Sequence, residues 1–302
     1  MLVILATNEP QGVYHSQPLL APAARAGVDL RQWCEGPKVS RGHQGAPIIT
    51  DAKLLKKADL IVVNGLASAH TRVAASIALD QNIPLAFCEL AYLQPLAPFE
   101  IINWAAISGW SEATKETVAL CCGCETSRVT INGWPQLDNL PTKVINRSGK
   151  PSILALTTVS GEDNHNLDLL ELLQNCGSSN ITVRPHPREN KQLWRDWPQD
   201  DGCDIVDSLY RCDLVIGVCG TATLISAAMG KPWITPNRTE DIPEFLLPLT
   251  QPAGDNLLET IDQAVAPPAK TVDFICGPRG QAGDNIMRQW RRAAENSTQN
   301  NS

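Results

Sequence analysis

No apolar run in this chain approaches the ~20 residues that a membrane-crossing helix needs, so none is expected. The amino end, MLVILATNEP, has no basic segment and no small-residue cleavage site; apolar from its first residue, it reads as a first strand rather than a signal peptide. Basic charge is in deficit, with 25 Lys and Arg against 32 Asp and Glu and a net charge of −7. Nonspecific affinity for nucleic acid rests on neutralised phosphates, so no stable nucleic-acid binding is expected, although a locally basic cleft remains compatible with the total. A DxD-type metal motif is missing: Asp200-Asp201, beside Gly202, reads as a turn, and no bound metal is expected. The amino-terminal half has no glycine-rich loop, and no fixed-period repeat runs through the chain.

Ten cysteines are present, but they do not look like a disulfide framework. They are spread over a long chain, and Cys88, Cys212 and Cys219 lie inside apolar stretches, as reduced core residues of a cytoplasmic protein would. The cluster Cys121, Cys122 and Cys124 has no second pair to complete a zinc set and ends a helical segment, so it reads as core or cap.

A chain of 302 residues is near the size at which one core divides into two. Both halves alternate apolar strands with helical periodicity, the pattern of βαβ units and parallel sheets. LVILAT, VDLRQW, DLIVVNG, IPLAFCEL, WAAIS and VTING are the strands of the first half. SQPLLAPAARAG, ASAHTRVAASIALDQN and SEATKETVALCCG are helical between them, the last opening on a partial capping pattern at Ser111. The polar stretch 138–150 reads as a linker. PSILALTT, ITVRPHP, CDIVD, DLVIGVCG and PWITP follow as strands, and a helix around DNIMRQWRRAAEN closes the chain. The expected domains are 1–140 and 150–296, with 297–302 a disordered tail. Two such doubly wound domains place ligands outside the carboxyl ends of their strands.

Two stretches carry chemistry. In ITVRPHPR, residues 181–188, two prolines end the strand and fix a loop bearing Arg184, His186 and Arg188. Arginine suits phosphate through its planar fork; Arg188 could equally be a helix-start or surface charge. In DLVIGVCGTATLISAAMGKPWI, residues 213–234, an apolar strand runs into Gly220-Thr221-Ala222-Thr223, which opens a helix of small residues. The free N–H groups of a first helical turn attract phosphate, and the Thr221 and Thr223 hydroxyls could add donors. A tight turn with a threonine cap would account for part of this run.

That second stretch resembles the carboxyl-terminal region of GT-B fold glycosyltransferases and their relatives. These include UDP-N-acetylglucosamine 2-epimerases, the CDP-glycerol transferases of teichoic acid synthesis and capsular polysaccharide transferases. Three more stretches are similar to the same group. SGWSEATKETVALCCGCETSRVTINGWPQLD matches it at Gly133, Pro135 and Asp138, with Trp134 where Asn is usual; ITVRPHPR resembles its strand and His-Pro element; FCELAYLQP resembles "E.GyL.P", with Ala91 in place of glycine. The resemblance spans about residues 85–235 and implies an α/β chain of GT-B type, two Rossmann-like doubly wound domains facing a central cleft. It further implies a UDP- or CMP/CDP-linked sugar donor as substrate, a glycan, polysaccharide or lipid-linked hydroxyl acceptor, no cofactor, and no metal. Peripheral membrane contact is compatible with such an acceptor. Arg184, His186, Arg188, Gly220, Thr221 and Thr223 would hold the donor, with Glu240 (or Asp241) reaching the sugar or ribose; both acids could instead be solvated at a helix start.

The first domain should then supply the base that takes the acceptor's proton. Glu89, just past a strand, and His15, in the loop after the first strand, are the candidates, with Glu9 behind them; His70 reads as a surface or cap residue. Alternatives are an epimerase or hydrolase of sugar nucleotides, a viral-type transferase acting on nucleic-acid bases, and a non-catalytic binder of nucleotide or glycan.

Overall fold

The computed structural model describes residues 1–7, 16–34, 45–66, 68–90, 103–140, 150–158, 165–176, 180–186, 189, 191–202, 204–236 and 242–300. The chain forms two compact units: residues 1–139 with 276–302, and residues 140–275.

The first unit is built on a seven-stranded sheet, all parallel. Its strands are β1 (Leu2–Ala6), β2 (Asp29–Trp33), β3 (Ile48–Ile49), β4 (Leu60–Val63), β5 (Leu85–Cys88), β6 (Ala106–Gly109) and β7 (Thr130–Ile131), in the order β3-β2-β1-β4-β5-β6-β7. Side chains of a strand alternate between faces, and β1 divides cleanly. Ile4 and Ala6 enter a core with Phe87, Ala74 and Val118, the last two from α2 (Ala69–Asp80) and α3 (Lys115–Cys121). Val3 and Leu5 face the other way, toward Ala23 of α1 (Leu20–Arg25) and the long helix that ends the chain. Both faces are covered, which is why β1, β4 and β5 read as continuous apolar runs. Cys122 is buried in the first of these cores, and Cys88 in the second.

The second unit holds five parallel strands, β8 (Ile153–Leu156), β9 (Ile181–Arg184), β10 (Leu214–Gly217), β11 (Trp233–Thr235) and β12 (Gln251–Pro252), in the order β12-β11-β10-β8-β9. Its helices are α4 (His165–Cys176), α5 (Ile205–Arg211), α6 (Thr221–Ala228), α7 (Leu257–Gln263) and α8 (Ala269–Cys276). One of its cores joins Ile153, Val183 and Ile216 of the sheet to Leu169 and Leu173 of α4 and Ile261 of α7.

Four expectations are corrected. The closing helix, α9 (Ala282–Asn300), belongs to the first unit, not the second. Its buried residues Ile286, Met287, Trp290, Ala293 and Ala294 recur at helical spacing and lie against Val3, Leu5, Leu60 and Val62. The helix also runs through residues 297–300, which were expected to be a disordered tail. Asp138 is no linker residue: its carboxylate accepts the N–H groups of Ala282 (2.9 Å) and Gly283 (2.8 Å), capping α9 at its first turn. Nearby, Gly277 has φ +81 and lies so close to the Trp110 carbonyl that any side chain would collide with it. Finally, Ile205–Asp207 of the segment CDIVD are helical rather than extended. The Asp204 carboxylate accepts the Asp207 N–H at 2.8 Å and starts α5, and Leu209 is buried one turn after Ile205. Among the described residues no helix is long and apolar enough to cross a membrane.

Candidate functional site

In the second unit the chain reverses direction across the sheet between β8 and β10: one crossover leads from β8 to β9, the other on to β11. Such a switch point leaves a crevice outside the carboxyl ends of the two strands. The strands approach closely here. A β-carbon on Gly217, the last residue of β10, would stand 2.7 Å from the Leu156 carbonyl oxygen at the end of β8. The Gly217 carbonyl is held by the Trp233 indole N–H at 2.8 Å.

Beyond Gly217 the chain turns through Val218, Cys219 and Gly220 into α6. Burial pushes the Cys219 thiol up to about 11, which keeps it neutral in this turn. Gly220 is the N-cap of α6, with extended backbone and open space where a side chain would stand. Elsewhere in the chain, Asp51, Ser68, Asp204 and Asn256 cap their helices with a side-chain oxygen. Glycine cannot, so the first-turn N–H groups of Thr221, Ala222 and Thr223 have no capping side chain. Thr223, expected as an extra ligand donor, is instead buried: its hydroxyl accepts the Gly220 N–H at 3.0 Å and donates to the Gly220 carbonyl at 2.8 Å. That arrangement stiffens the turn. One strand further, at the end of β11, the buried Thr235 hydroxyl has no partner. Lys231 of the Gly-Lys-Pro run points away from any ligand, buried with its ammonium group on the Cys212 carbonyl at the end of α5.

His186 and Glu189, after β9, are tied to the end of β8 by a residue that the sequence did not single out. The Thr157 hydroxyl accepts the His186 N–H at 2.8 Å and donates to the Glu189 carboxylate, whose other oxygen accepts the Trp194 indole N–H at 2.7 Å. Two threonines directly after an apolar strand were the available signal. Arg184 is tied into its own unit through one guanidinium nitrogen, Nη1. Its guanidinium donates to the Asp200 carboxylate, to Ser208 Oγ at 2.6 Å and to the Gly202 carbonyl at 3.1 Å. Asp200 in turn accepts from Arg211 at 3.1 Å. Burial works against charge on Asp200, but the Ser208 hydroxyl and the Arg184 guanidinium together hold its carboxyl below the usual range. The pair Asp200-Asp201 is thus the counter-charge of two arginines. Arg184 lies on the face of β9 opposite Ile181 and Val183, which fill the core, and Asp200 meets it there.

In the first unit, Glu89 follows β5 and continues its ladder, its N–H donating to the Ser108 carbonyl at 3.0 Å. It was expected on an open rim; it is 1% exposed. Oε2 accepts the Trp110 N–H at 2.8 Å and the Thr114 hydroxyl at 2.9 Å, whereas Oε1 is buried without a partner. Burial raises its carboxyl to about 8, against the lowering effect of those two hydrogen bonds. His70 sits in the first turn of α2 with its ring 5.8 Å from Trp33. His15, Arg188 and Glu240, with Glu9 and Asp241, lie outside the described residues.

The fold has many solved counterparts. A UDP-GlcNAc 2-epimerase from Methanocaldococcus jannaschii superposes with a TM-score of 0.62 at 14% identity, covering 95% of this chain and 98% of that one. The chain has the GT-B fold. HepE from Anabaena, in complex with UDP and glucose, matches at a TM-score of 0.55 and 14% identity over 100% of this chain and 98% of that one. The wall teichoic acid polymerase TagF matches at 0.60 and 11% over 100% and 90%. The model of a family described as a protein of unknown function, DUF354, matches residues 137–247, which contain most of the second GT-B unit and the whole β8–β10 switch point. No curated protein matches the chain.

Proposed function

We propose that this GT-B protein acts on a nucleotide sugar and transfers the sugar to a hydroxyl acceptor. The observation that carries the reading is the uncapped first turn of α6 at the β8–β10 switch point. A helix N-terminus without a capping side chain is a ready anion site, and a sugar nucleotide offers its diphosphate as that anion. The N–H groups of Thr221 and Ala222 would receive the phosphate oxygens, with Thr221 Oγ1 beside them; His186 follows β9, which β8 separates from β10. The same donors would stabilise the charge left on the departing nucleotide, the role that a metal plays elsewhere. HepE, with UDP and glucose, is a protein of this fold whose ligands have the same chemistry.

Glu89 is proposed as the base. Its unpartnered Oε1 is the atom that would take the acceptor's proton, and a carboxyl near 8 is a stronger base once ionised than an ordinary glutamate. His15 is the second candidate.

The decisive experiment uses Gly220→Asp. The extended backbone at this position suits any residue, there is room for the side chain, and aspartate is a good N-cap. The variant should therefore fold at least as stably as the wild type while its carboxylate excludes phosphate. Thermal unfolding of the wild type should shift upward with UDP, CDP or CMP, and the variant should show no shift. A wild-type protein indifferent to every nucleotide would overturn the proposal. Turnover of UDP-N-acetylglucosamine without any acceptor, to an epimer or to free sugar, would replace transfer by epimerisation or hydrolysis at the same site.

A further inference from the structure

The first unit carries an arginine pair that the proposed chemistry does not use. Arg288 and Arg292 lie one turn apart on α9, both exposed. Like charges at that spacing repel and weaken a helix, and no carboxylate among the described residues compensates either. Asp284, one turn before Arg288, is taken by Arg25 at 2.8 Å, and among the described residues no ion pair involves Arg288 or Arg292.

The two guanidiniums border a cavity of 340 Å³ between α9 and β7, the edge strand of the seven-stranded sheet. Small-molecule sites begin at roughly 300 Å³. Its floor is polar and already ordered. The Asn132 amide donates to Gln289 Oε1 at 2.6 Å and to Ser108 Oγ at 3.1 Å, and the Gln289 amide donates to the Ile107 carbonyl at 3.1 Å. Asn285 donates to the Asn132 carbonyl at 3.3 Å and accepts from Arg288, which aims that guanidinium over the cavity. The walls are fixed, therefore, and the charge at the mouth is unspent.

We infer that the α9–β7 cavity is a second anion site, binding a phosphate group through Arg288 and Arg292. The planar fork of each arginine suits phosphate oxygens. The site lies in the other unit from the β8–β10 crevice and goes beyond the activity proposed above. The phosphate could belong to a soluble metabolite or to a lipid headgroup; the shared chemistry is a tetrahedral oxyanion of about −1 to −2 charge.

The test is a titration of full-length protein with inorganic phosphate, followed through the 15Nε resonances of its arginines, with Arg288→Gln and Arg292→Gln assigning the two signals. Because both residues are exposed, the variants should melt with the wild type. Both signals should shift on titration, and in either single variant the remaining signal should titrate about tenfold more weakly, having lost one of two charged donors. Signals that do not move, or move identically in the variants, overturn the inference. Sedimentation with phosphatidylglycerol vesicles, against phosphatidylcholine, identifies the source: capture lost in the double variant assigns the headgroup, and no capture beside shifted resonances assigns a soluble phosphate.

Discussion

Thr114 Oγ1 donates to Glu89 Oε2 at 2.9 Å, and with the Trp110 N–H it fills one oxygen of a buried carboxyl whose other oxygen has none. The pH dependence of the protein should follow from this. Burial raises Glu89 from 4.5 to about 8, so the folded state holds a proton that the unfolded state has already released. The stability contributed is fully present below pH ~4.5 and is lost as pH rises toward 8. Chemical denaturation between pH 5 and 9 should show this decline, and Glu89→Gln should flatten it. If Glu89 is also the base, the transfer rate should climb over the range in which stability falls, since only the ionised form accepts a proton. A Glu89→Gln protein with unaltered pH dependence would remove the carboxyl from both roles.

Arg184 should matter more for folding than for nucleotide. Its Nη1 is committed to Asp200, Ser208 and the Gly202 carbonyl, and Arg184→Ala leaves the Asp200 carboxylate, only 6% exposed, with Arg211, Ser208 and the Gly202 N–H. Breaking a partly buried pair of this kind costs about 1–3 kcal/mol. The variant should melt earlier and still show the nucleotide-induced shift. Loss of that shift in a stably folded variant would return Arg184 to the ligand.

Gly217→Ala should tighten a contact that has no slack. The added methyl would stand 2.7 Å from the Leu156 carbonyl, a backbone atom that cannot rotate away, so β8 and β10 must part. Overpacking typically costs about 1–3 kcal/mol. The nucleotide affinity of the second unit should fall together with the denaturation midpoint, because both depend on the same strand ends.

Trp290→Ala tests the placement of α9. The indole is fully buried beside Val3, Leu5 and Val62, and removing a buried tryptophan costs about 3–5 kcal/mol. Hydrogen exchange should accelerate in β1 and β4 while β8 and β10 stay protected. Faster exchange in β8 and β10 alone would contradict that packing.

The fold was legible wherever a pattern is local. Apolar runs bounded by turns located all the central strands, and the Gly220 turn announced the entry to α6, because strand burial and helix initiation are written within a few residues. Two short edge strands were not visible: β3 and β12 are two residues each, too short to carry a period, whereas β7, equally short, lay within VTING. The segment CDIVD looked like a strand because a short apolar stretch fits both periods, and the Asp204 cap decided it.

The candidate site was legible as a set of residue types and not as a set of contacts. Composition and motif order pointed to Arg184, Thr223 and Glu89, all polar residues beside strand ends. Which polar group faces a ligand and which satisfies a neighbour depends on partners distant in the chain: Asp200 for Arg184, Trp110 and Thr114 for Glu89.

The sequence announced the closing helix α9, whose buried residues Ile286, Met287, Trp290, Ala293 and Ala294 recur at helical spacing. Nothing in that stripe names the sheet it covers, since apolar burial is not directional. Packing against β1 and β4, with Asp138 fixing the first turn, assigned the helix to the first unit. Local patterns specify elements; long-range complementarity of shape and charge assigns their partners.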